Sequence, residues 1–135
     1  MRKTFIFTAL FFFLFSLFLV QCTSGDKALH KQLNQMAVDL NISTPVMLDQ
    51  YTRFDSAAVS ENNEFQYYYT IMNTNSPDSL ISAMEQTMEK NIHTAVMNNP
   101  DLRIFRDNDI TLQYFYRNAD AAIIHSIIVT PDKYK

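Results

Sequence analysis

The chain is almost without glycine and cysteine. It has one glycine, Gly25, one cysteine, Cys22, and no tryptophan among 135 residues. Phosphate-binding loops, dinucleotide fingerprints and nucleophile elbows all need glycines at fixed positions, so beyond residue 25 the sequence excludes them. A single cysteine cannot form an internal disulfide bond. Turns must use asparagine and aspartate, which tolerate left-handed backbone, and we expect such turns at 61–64 and 117–120.

Basic side chains are also few. The chain has 11 Lys and Arg against 14 Asp and Glu, a formal charge of −3, which becomes −5 when Arg2 and Lys3 are left out. Nucleic-acid binding requires a cationic surface, so we predict no nucleic-acid partner. The three histidines, His30, His93 and His125, do not have the spacing of helical metal ligands. We therefore expect neither a metal site nor a cofactor.

The N-terminal segment has the pattern of an export signal. Arg2 and Lys3 precede an almost uninterrupted apolar run at 5–20, and Cys22 follows. As a helix this run would measure roughly 24 Å at about 1.5 Å per residue. A bilayer core is about 30 Å thick, so the run is short for a stable span. A positive start followed by a short apolar run is typical of a removable signal peptide.

The end of that run resembles the lipobox of bacterial lipoproteins. In the sequence Leu19-Val20-Gln21-Cys22 the first two residues fit the pattern, whereas Gln21 stands where glycine, alanine or serine is usual. The resemblance implies cleavage by signal peptidase II before Cys22, which becomes a diacylated cysteine with fatty-acid chains such as palmitate. By resemblance to lipoprotein sorting, Thr23 favours the outer membrane or cell surface. The alternatives are an uncleaved membrane helix and an ordinary secretory signal.

The domain organisation follows from this signal. We predict a signal peptide at 1–21, a lipidated cysteine and tether at 22–26, and one folded domain at 27–135. That domain is long enough to bury a hydrophobic core of its own.

The apolar periodicity of the domain predicts an α+β fold with the order α-β-β-α-β-β. The expected elements are a helix at 26–41, strands at 51–60 and 64–73, a helix at 78–97, and strands at 109–117 and 121–130. A two-layer sandwich buries these apolar stripes best, with a four-stranded, mostly antiparallel sheet and both helices on one face.

Two predicted strands resemble each other. The segment 65–69 reads FQYYY and the segment 112–116 reads LQYFY. We interpret them as two similar sheet environments on either side of the long helix.

The sheet face away from the helices is the expected interaction surface, because apolar residues exposed together mark binding sites. On it we place Tyr68, Met72 and Phe115, with Arg53 beside them.

No residues mark a reaction. No serine shows signs of activation, and carboxylates such as Asp49 and Asp55 usually cap turns or form ion pairs. We therefore predict a protein that is not an enzyme. Two alternatives remain open: binding of a small ligand or peptide in a groove between helix and sheet, and hydrolysis that depends on Asp49 and Asp55.

The region 28–132 resembles a widespread group of small exported bacterial lipoproteins of unknown function. The resemblance rests on the following residues: Leu40-Asn41, Pro45, Asp49, Thr52-Arg53-Phe54-Asp55, Tyr67, Tyr69 and the strand 110–116. The group often has glycine after its last turn, where this chain has Ala121 and Ala122. The resemblance implies an exported α+β domain but no activity. We thus expect a lipid-anchored envelope protein that binds another envelope protein.

Overall fold

The computed structural model describes residues 22–135, which form three α-helices and one five-stranded sheet. The predicted signal peptide at 1–21 lies outside the described residues. In chain order the helices and strands are α1 (Cys22–Asn41), β1 (Val46–Met47), β2 (Thr52–Val59), β3 (Phe65–Ile71), α2 (Pro77–Asn98), α3 (Arg103–Asp107), β4 (Leu112–Arg117) and β5 (Ile123–Val129). Short 3-10 turns at Pro100–Leu102 and Pro131–Lys133 complete the chain.

The chain divides into two compact units, Met1–Gln32 and Leu33–Lys135. Of the first unit, the structure describes only the beginning of α1, which starts at Cys22, four residues before the predicted start. The second unit holds the end of α1 and the whole sheet. None of the described helices has both the length and the apolar character that crossing a membrane requires.

The sheet has the strand order β1-β2-β3-β4-β5. Its pairs are antiparallel except for β3 and β4, which run parallel. The α+β class is therefore confirmed, but four strands and two helices were wrong. The extra strand β1 is two exposed residues long and the extra helix α3 only five, so both are too short to show a periodicity.

The parallel pair explains the resemblance between the two tyrosine-rich segments. They lie side by side in register, with Phe65 opposite Leu112 and Tyr67 opposite Tyr114. A parallel pair needs a long crossover connection, usually helical, and α2 provides it. The two segments thus share one environment because they are neighbours under the same helix.

The core lies between the sheet and the helices. Phe65 of β3 packs against Phe105 of α3 with ring centroids 5.0 Å apart, and neither ring is exposed to solvent. Near the C terminus, the buried hydroxyl of Tyr134 donates to the carbonyl of Phe105 at 3.1 Å and also reaches that of Ile110. A tyrosine at the chain end therefore fixes α3 to the start of β4.

Asparagine and aspartate form the turns, as the shortage of glycine requires. Asn63, Asn73 and Asp109 adopt φ angles of 61°, 56° and 55°. In the β4–β5 turn, the left-handed position falls instead on Ala121, with a φ of 64°. In this region the Cβ atom of alanine lies too close to the backbone, whereas glycine has no Cβ atom and adopts the conformation without strain.

Candidate functional site

The sheet has one face covered by helices and one that α2 and α3 leave open. Side chains alternate along a strand, so neighbours in sequence lie on opposite faces. Tyr69, Tyr114 and Tyr116 face α2, because they line one cavity with its residues. We name the opposite side the open face, formed by Arg53, Gln66, Tyr68, Thr70, Gln113, Phe115 and Arg117.

The in-register pairing arranges the open face in cross-strand rows. The first row is Arg53, Thr70 and Arg117 on β2, β3 and β4. In the second row, Tyr68 lies opposite Phe115. We name the first the charged row and the second the aromatic row. Gln66 and Gln113, also opposite each other, form a third, the amide row.

The aromatic row is a stacked pair. The rings of Tyr68 and Phe115 lie 5.2 Å apart, centroid to centroid, at an angle of 22°. Both residues are half-buried. In the amide row, Gln66 Nε2 donates to Gln113 Oε1 at 2.8 Å, and the hydroxyl of Tyr68 donates to Gln66 Oε1 at 3.1 Å. Hydrogen bonds therefore hold the pair in place from one side.

The charged row holds an ion pair. Arg53 Nε donates to Asp55 Oδ1 at 2.5 Å, and Thr70 Oγ1 donates to Asp55 Oδ2 at 2.5 Å. Asp55 is the extra residue of a β-bulge in β2. At the other end of the row, the guanidinium of Arg117 lies 4.5 Å above the centroid of the Tyr68 ring, a cation–π contact.

A hollow of about 320 Å³ opens beside this row. We name it the arginine hollow; its walls include Arg53, Asp55, Thr70, Arg117 and the β4–β5 turn. Asn118 builds that turn, because its Oδ1 accepts from the backbone N–H groups of Asp120 and Ala122, both at 3.0 Å.

The structure thus brings three of the four predicted interaction residues onto the open face: Arg53, Tyr68 and Phe115. Met72 lies beyond the end of β3, roughly 13 Å along the chain from Tyr68 at about 3.3 Å per residue. Its amide N–H donates to Tyr51 O at 2.7 Å. Sequence analysis missed Arg117, although it continues the alternation of Gln113 and Phe115.

A second candidate site lies on the covered side of the sheet. A cavity of about 210 Å³ separates α2 from the strands and has mostly apolar walls, including Met84, Met88 and Leu48. The three tyrosines that face α2 line its floor. Burial raises the pKa of Tyr69 to about 12 and raises that of Tyr114 further. The tyrosine side chains at the floor of this groove are therefore largely shielded from water.

The two carboxylates considered for hydrolysis lie in different places. Asp49 lines the groove, and its Oδ1 accepts from the N–H groups of Tyr51 and Thr52 at 2.7 and 2.8 Å. These hydrogen bonds, led by that of Tyr51, lower the pKa of Asp49. Asp55 lines the arginine hollow instead. Each carboxylate thus accepts hydrogen bonds from residues near it, Asp49 from Tyr51 and Thr52, and Asp55 from Arg53 and Thr70.

His125 lies on the side of the sheet that α2 covers, since it pairs with Tyr116. His125 on β5 is next to α2, with its Nε2 3.4 Å from Glu85 Oε1. Within residues 22–135, no three His, Cys, Asp or Glu side chains are grouped closely enough to hold a metal ion.

Comparisons with known proteins place the chain in a family. The model of a domain of unknown function, DUF8479, matches residues 28–124. No curated protein matches the sequence.

Several solved structures share the fold. A Pseudomonas aeruginosa protein described as secreted is 14% identical, with 82% of this chain and 96% of that chain covered and a TM-score of 0.69. The pilotin EpsS of the Vibrio vulnificus type 2 secretion system is 14% identical, with 84% and 97% covered and a TM-score of 0.65. The type II secretion system pilotin AspS of Vibrio cholerae is 15% identical, with 82% and 96% covered and a TM-score of 0.59.

Proposed function

The chain belongs to the DUF8479 family, whose function is unknown, and we propose that it is a lipid-anchored protein of the bacterial cell envelope that binds another envelope protein. The observation that carries this proposal is the fold that it shares with two pilotins, at TM-scores of 0.65 and 0.59. Both pilotins are named as proteins of type 2 secretion systems. We propose binding rather than catalysis.

The open face is the surface that we assign to this partner. Aromatic residues and arginine are enriched in protein interfaces, where a few of them provide most of the binding energy. Tyr68, Phe115 and Arg117 form one connected patch of this composition. Hydrogen bonds and stacking already fix the two rings, so binding costs little side-chain entropy.

Site-specific crosslinking in cells tests the proposal. A photoreactive phenylalanine analogue replaces Phe115 in the full-length protein, and a matched variant carries it at Thr87, an exposed position of α2. We expect one envelope protein to be crosslinked at position 115 and not at position 87. Equal crosslinking at both positions, or none at position 115, would contradict an interface on the open face.

Substitution of the aromatic pair is the second test. We expect Tyr68→Ser together with Phe115→Ser to weaken capture of the partner while the protein stays folded, since both rings are half-buried on the surface. Loss of cooperative thermal unfolding in this variant would mean that the pair belongs to the core.

The groove under α2 favours a second candidate function, the binding of a small ligand or peptide. Its apolar walls and three tyrosines resemble the lining of ligand sites. A ligand that binds only the folded protein raises its melting temperature. A thermal-shift screen therefore tests this function, with Met84→Glu, which introduces a charge at the groove wall, as the variant that should abolish any shift.

A further inference from the structure

We propose that the arginine hollow binds a carboxylate of the partner protein, and that an aromatic side chain near this carboxylate lies on Tyr68 and Phe115. This inference rests on the proposed function and defines the chemistry of the partner. The bound segment is an extended stretch with an acidic residue and an aromatic residue two positions apart.

Arg117 is the first reason. Of the arginines in residues 22–135, Arg53 and Arg103 pair with carboxylates, and Arg106 donates to backbone carbonyls. Within the same residues, the guanidinium of Arg117 is in contact with the Tyr68 ring but donates no hydrogen bond. Arg117 is half-buried, and the N–H groups of its guanidinium remain available to a ligand. A guanidinium binds a carboxylate through two parallel hydrogen bonds.

The charge of the hollow is the second reason. Two guanidinium groups and one carboxylate line it, so its formal charge is +1. Both oxygens of Asp55 already accept hydrogen bonds, one from Arg53 and one from Thr70. Asp55 is therefore already hydrogen-bonded to Arg53 and Thr70, both of the charged row. The positive charge of Arg117 remains available to bind an anion.

The spacing of the rows is the third reason, and it favours a peptide. Thr70 and Tyr68 are two residues apart on β3, so the charged and aromatic rows are roughly 6.6 Å apart. An extended peptide repeats its side chains on one face at the same distance. A segment lying along β3 and β4 can thus place a carboxylate at Arg117 and, two residues on, an aromatic ring on Phe115.

A titration with defined peptides tests the proposal. The full-length protein, labelled with ¹⁵N and held in detergent micelles, is titrated with acetyl-Asp-Ser-Phe-amide and acetyl-Asn-Ser-Phe-amide. We expect the Asp peptide to shift the amide signals of Thr70 and Arg117 and to bind about tenfold more tightly, the effect of one charge-assisted hydrogen bond. Acetyl-Phe-Ser with a free C-terminal carboxylate shows whether a chain end serves as well as a side chain.

Variants identify the residue that is responsible. We expect Arg117→Gln to remove the preference for the Asp peptide and Arg117→Lys to keep part of it. The control Arg103→Gln, in an exposed ion pair on α3, should keep all of it. Equal affinity for the Asp and Asn peptides, or signal shifts confined to the groove around Tyr69 and Met84, would overturn the proposal.

The same variants separate this inference from the proposed function. If the partner still crosslinks at position 115 with unchanged yield in Arg117→Gln, the protein interface stands and the carboxylate contact is wrong. If no partner crosslinks at position 115 even with Arg117 present, both proposals are wrong.

Discussion

Ala121 has a backbone conformation that costs stability. Its φ of 64° lies in the left-handed region, where a Cβ atom comes too close to the backbone. The position is exposed, in the turn between β4 and β5. We expect Ala121→Gly to raise the free energy of unfolding by about 1 kcal/mol, since glycine removes the steric penalty but adds some entropy to the unfolded chain. Urea denaturation measures the change.

The matched control is Ala119→Gly in the same turn. Ala119 is exposed and has no left-handed φ, so glycine brings only the entropic cost there. We expect this variant to lose about 0.5 kcal/mol. Two variants that change stability in the same direction would contradict the strain at Ala121.

The buried tyrosines make stability depend on alkaline pH. Burial raises the pKa of Tyr69 from an ordinary value of 10.0 to about 12. Folding favours the neutral phenol. The stability that this preference contributes is therefore fully present below pH 10 and is lost as the pH rises through 12. At pH 11 this loss is about 1.4 kcal/mol for one tyrosine.

Tyr69→Phe tests this pH dependence. The variant cannot ionise at this position, so its free energy of unfolding should fall by about 1.4 kcal/mol less than that of the wild type between pH 8 and pH 11. Urea denaturation at both pH values gives the comparison, and the pH 8 pair serves as the reference. Identical losses in the two proteins would show that Tyr69 ionises normally in the folded state.

At the scale of elements, the end of α1 completes the outer strand of the sheet. Within residues 22–135, β1 is the only strand at the outer edge of β2, and it is two residues long. Further along this edge, the side chain of Asn41 takes the place of a strand. Its Nδ2 donates to Ala57 O at 2.9 Å, and its Oδ1 accepts from Ala57 N–H at 2.7 Å. One asparagine thus reproduces the two hydrogen bonds of a strand partner.

We expect Asn41→Ala to lower the free energy of unfolding by about 1–2 kcal/mol, because it leaves both backbone groups of Ala57 without these bonds. Amide exchange at Ala57 should become faster as well, which hydrogen-exchange mass spectrometry or NMR measures. The control Gln35→Ala removes an exposed side-chain hydrogen bond to Asp39 on the same helix and should change stability by less than about 0.5 kcal/mol. Unchanged protection at Ala57 would show that Asn41 does not close the edge.

The sequence predicts the long elements of this fold and misses the short ones. The apolar stripe of α2 and the alternation in β3 and β4 extend over enough residues to be recognised. Val46 and Met47, however, are exposed and form a strand only because β2 lies beside them. No local pattern encodes such an element, since its hydrogen bonds come from a partner and not from its own residues.

Strand order is harder to predict than strand position. The similarity of 65–69 and 112–116 pointed to a common environment but not to direct pairing, because strands in similar surroundings need not be neighbours. The position of Arg117 follows from the same pairing, since the first row of the open face exists only when β3 and β4 are adjacent and in register. The site therefore depends on tertiary structure that the sequence pattern does not specify.

At the scale of the whole molecule, the lipid attachment that we propose at Cys22 would hold the open face at a membrane. We expect mass spectrometry of the protein purified from membranes to find a chain that begins at Cys22 and carries acyl groups. Cys22→Ser removes the acylated thiol, so the N-terminal peptide of this variant should carry no lipid. A wild-type chain that retains residues 1–21, or begins elsewhere with an unmodified Cys22, would contradict the lipoprotein assignment.

The central parallel pair also governs how this chain reaches its native state. The β2–β3 and β4–β5 hairpins are local and can form within about 1–10 μs. The pairing of Phe65 with Leu112, in contrast, joins residues that are separated in sequence by all of α2. Closing the loop between β3 and β4 reduces chain entropy before any contact between the strands has formed. We therefore expect the joining of the two hairpins to limit the rate of folding. In the N-terminus-first export that we propose, the tyrosine-rich strand β3 would cross the membrane before β4, with the hydrogen-bonding groups of one edge unpaired and able to pair with other chains. The parallel pairing would therefore leave this edge of β3 uncovered until β4 has crossed as well.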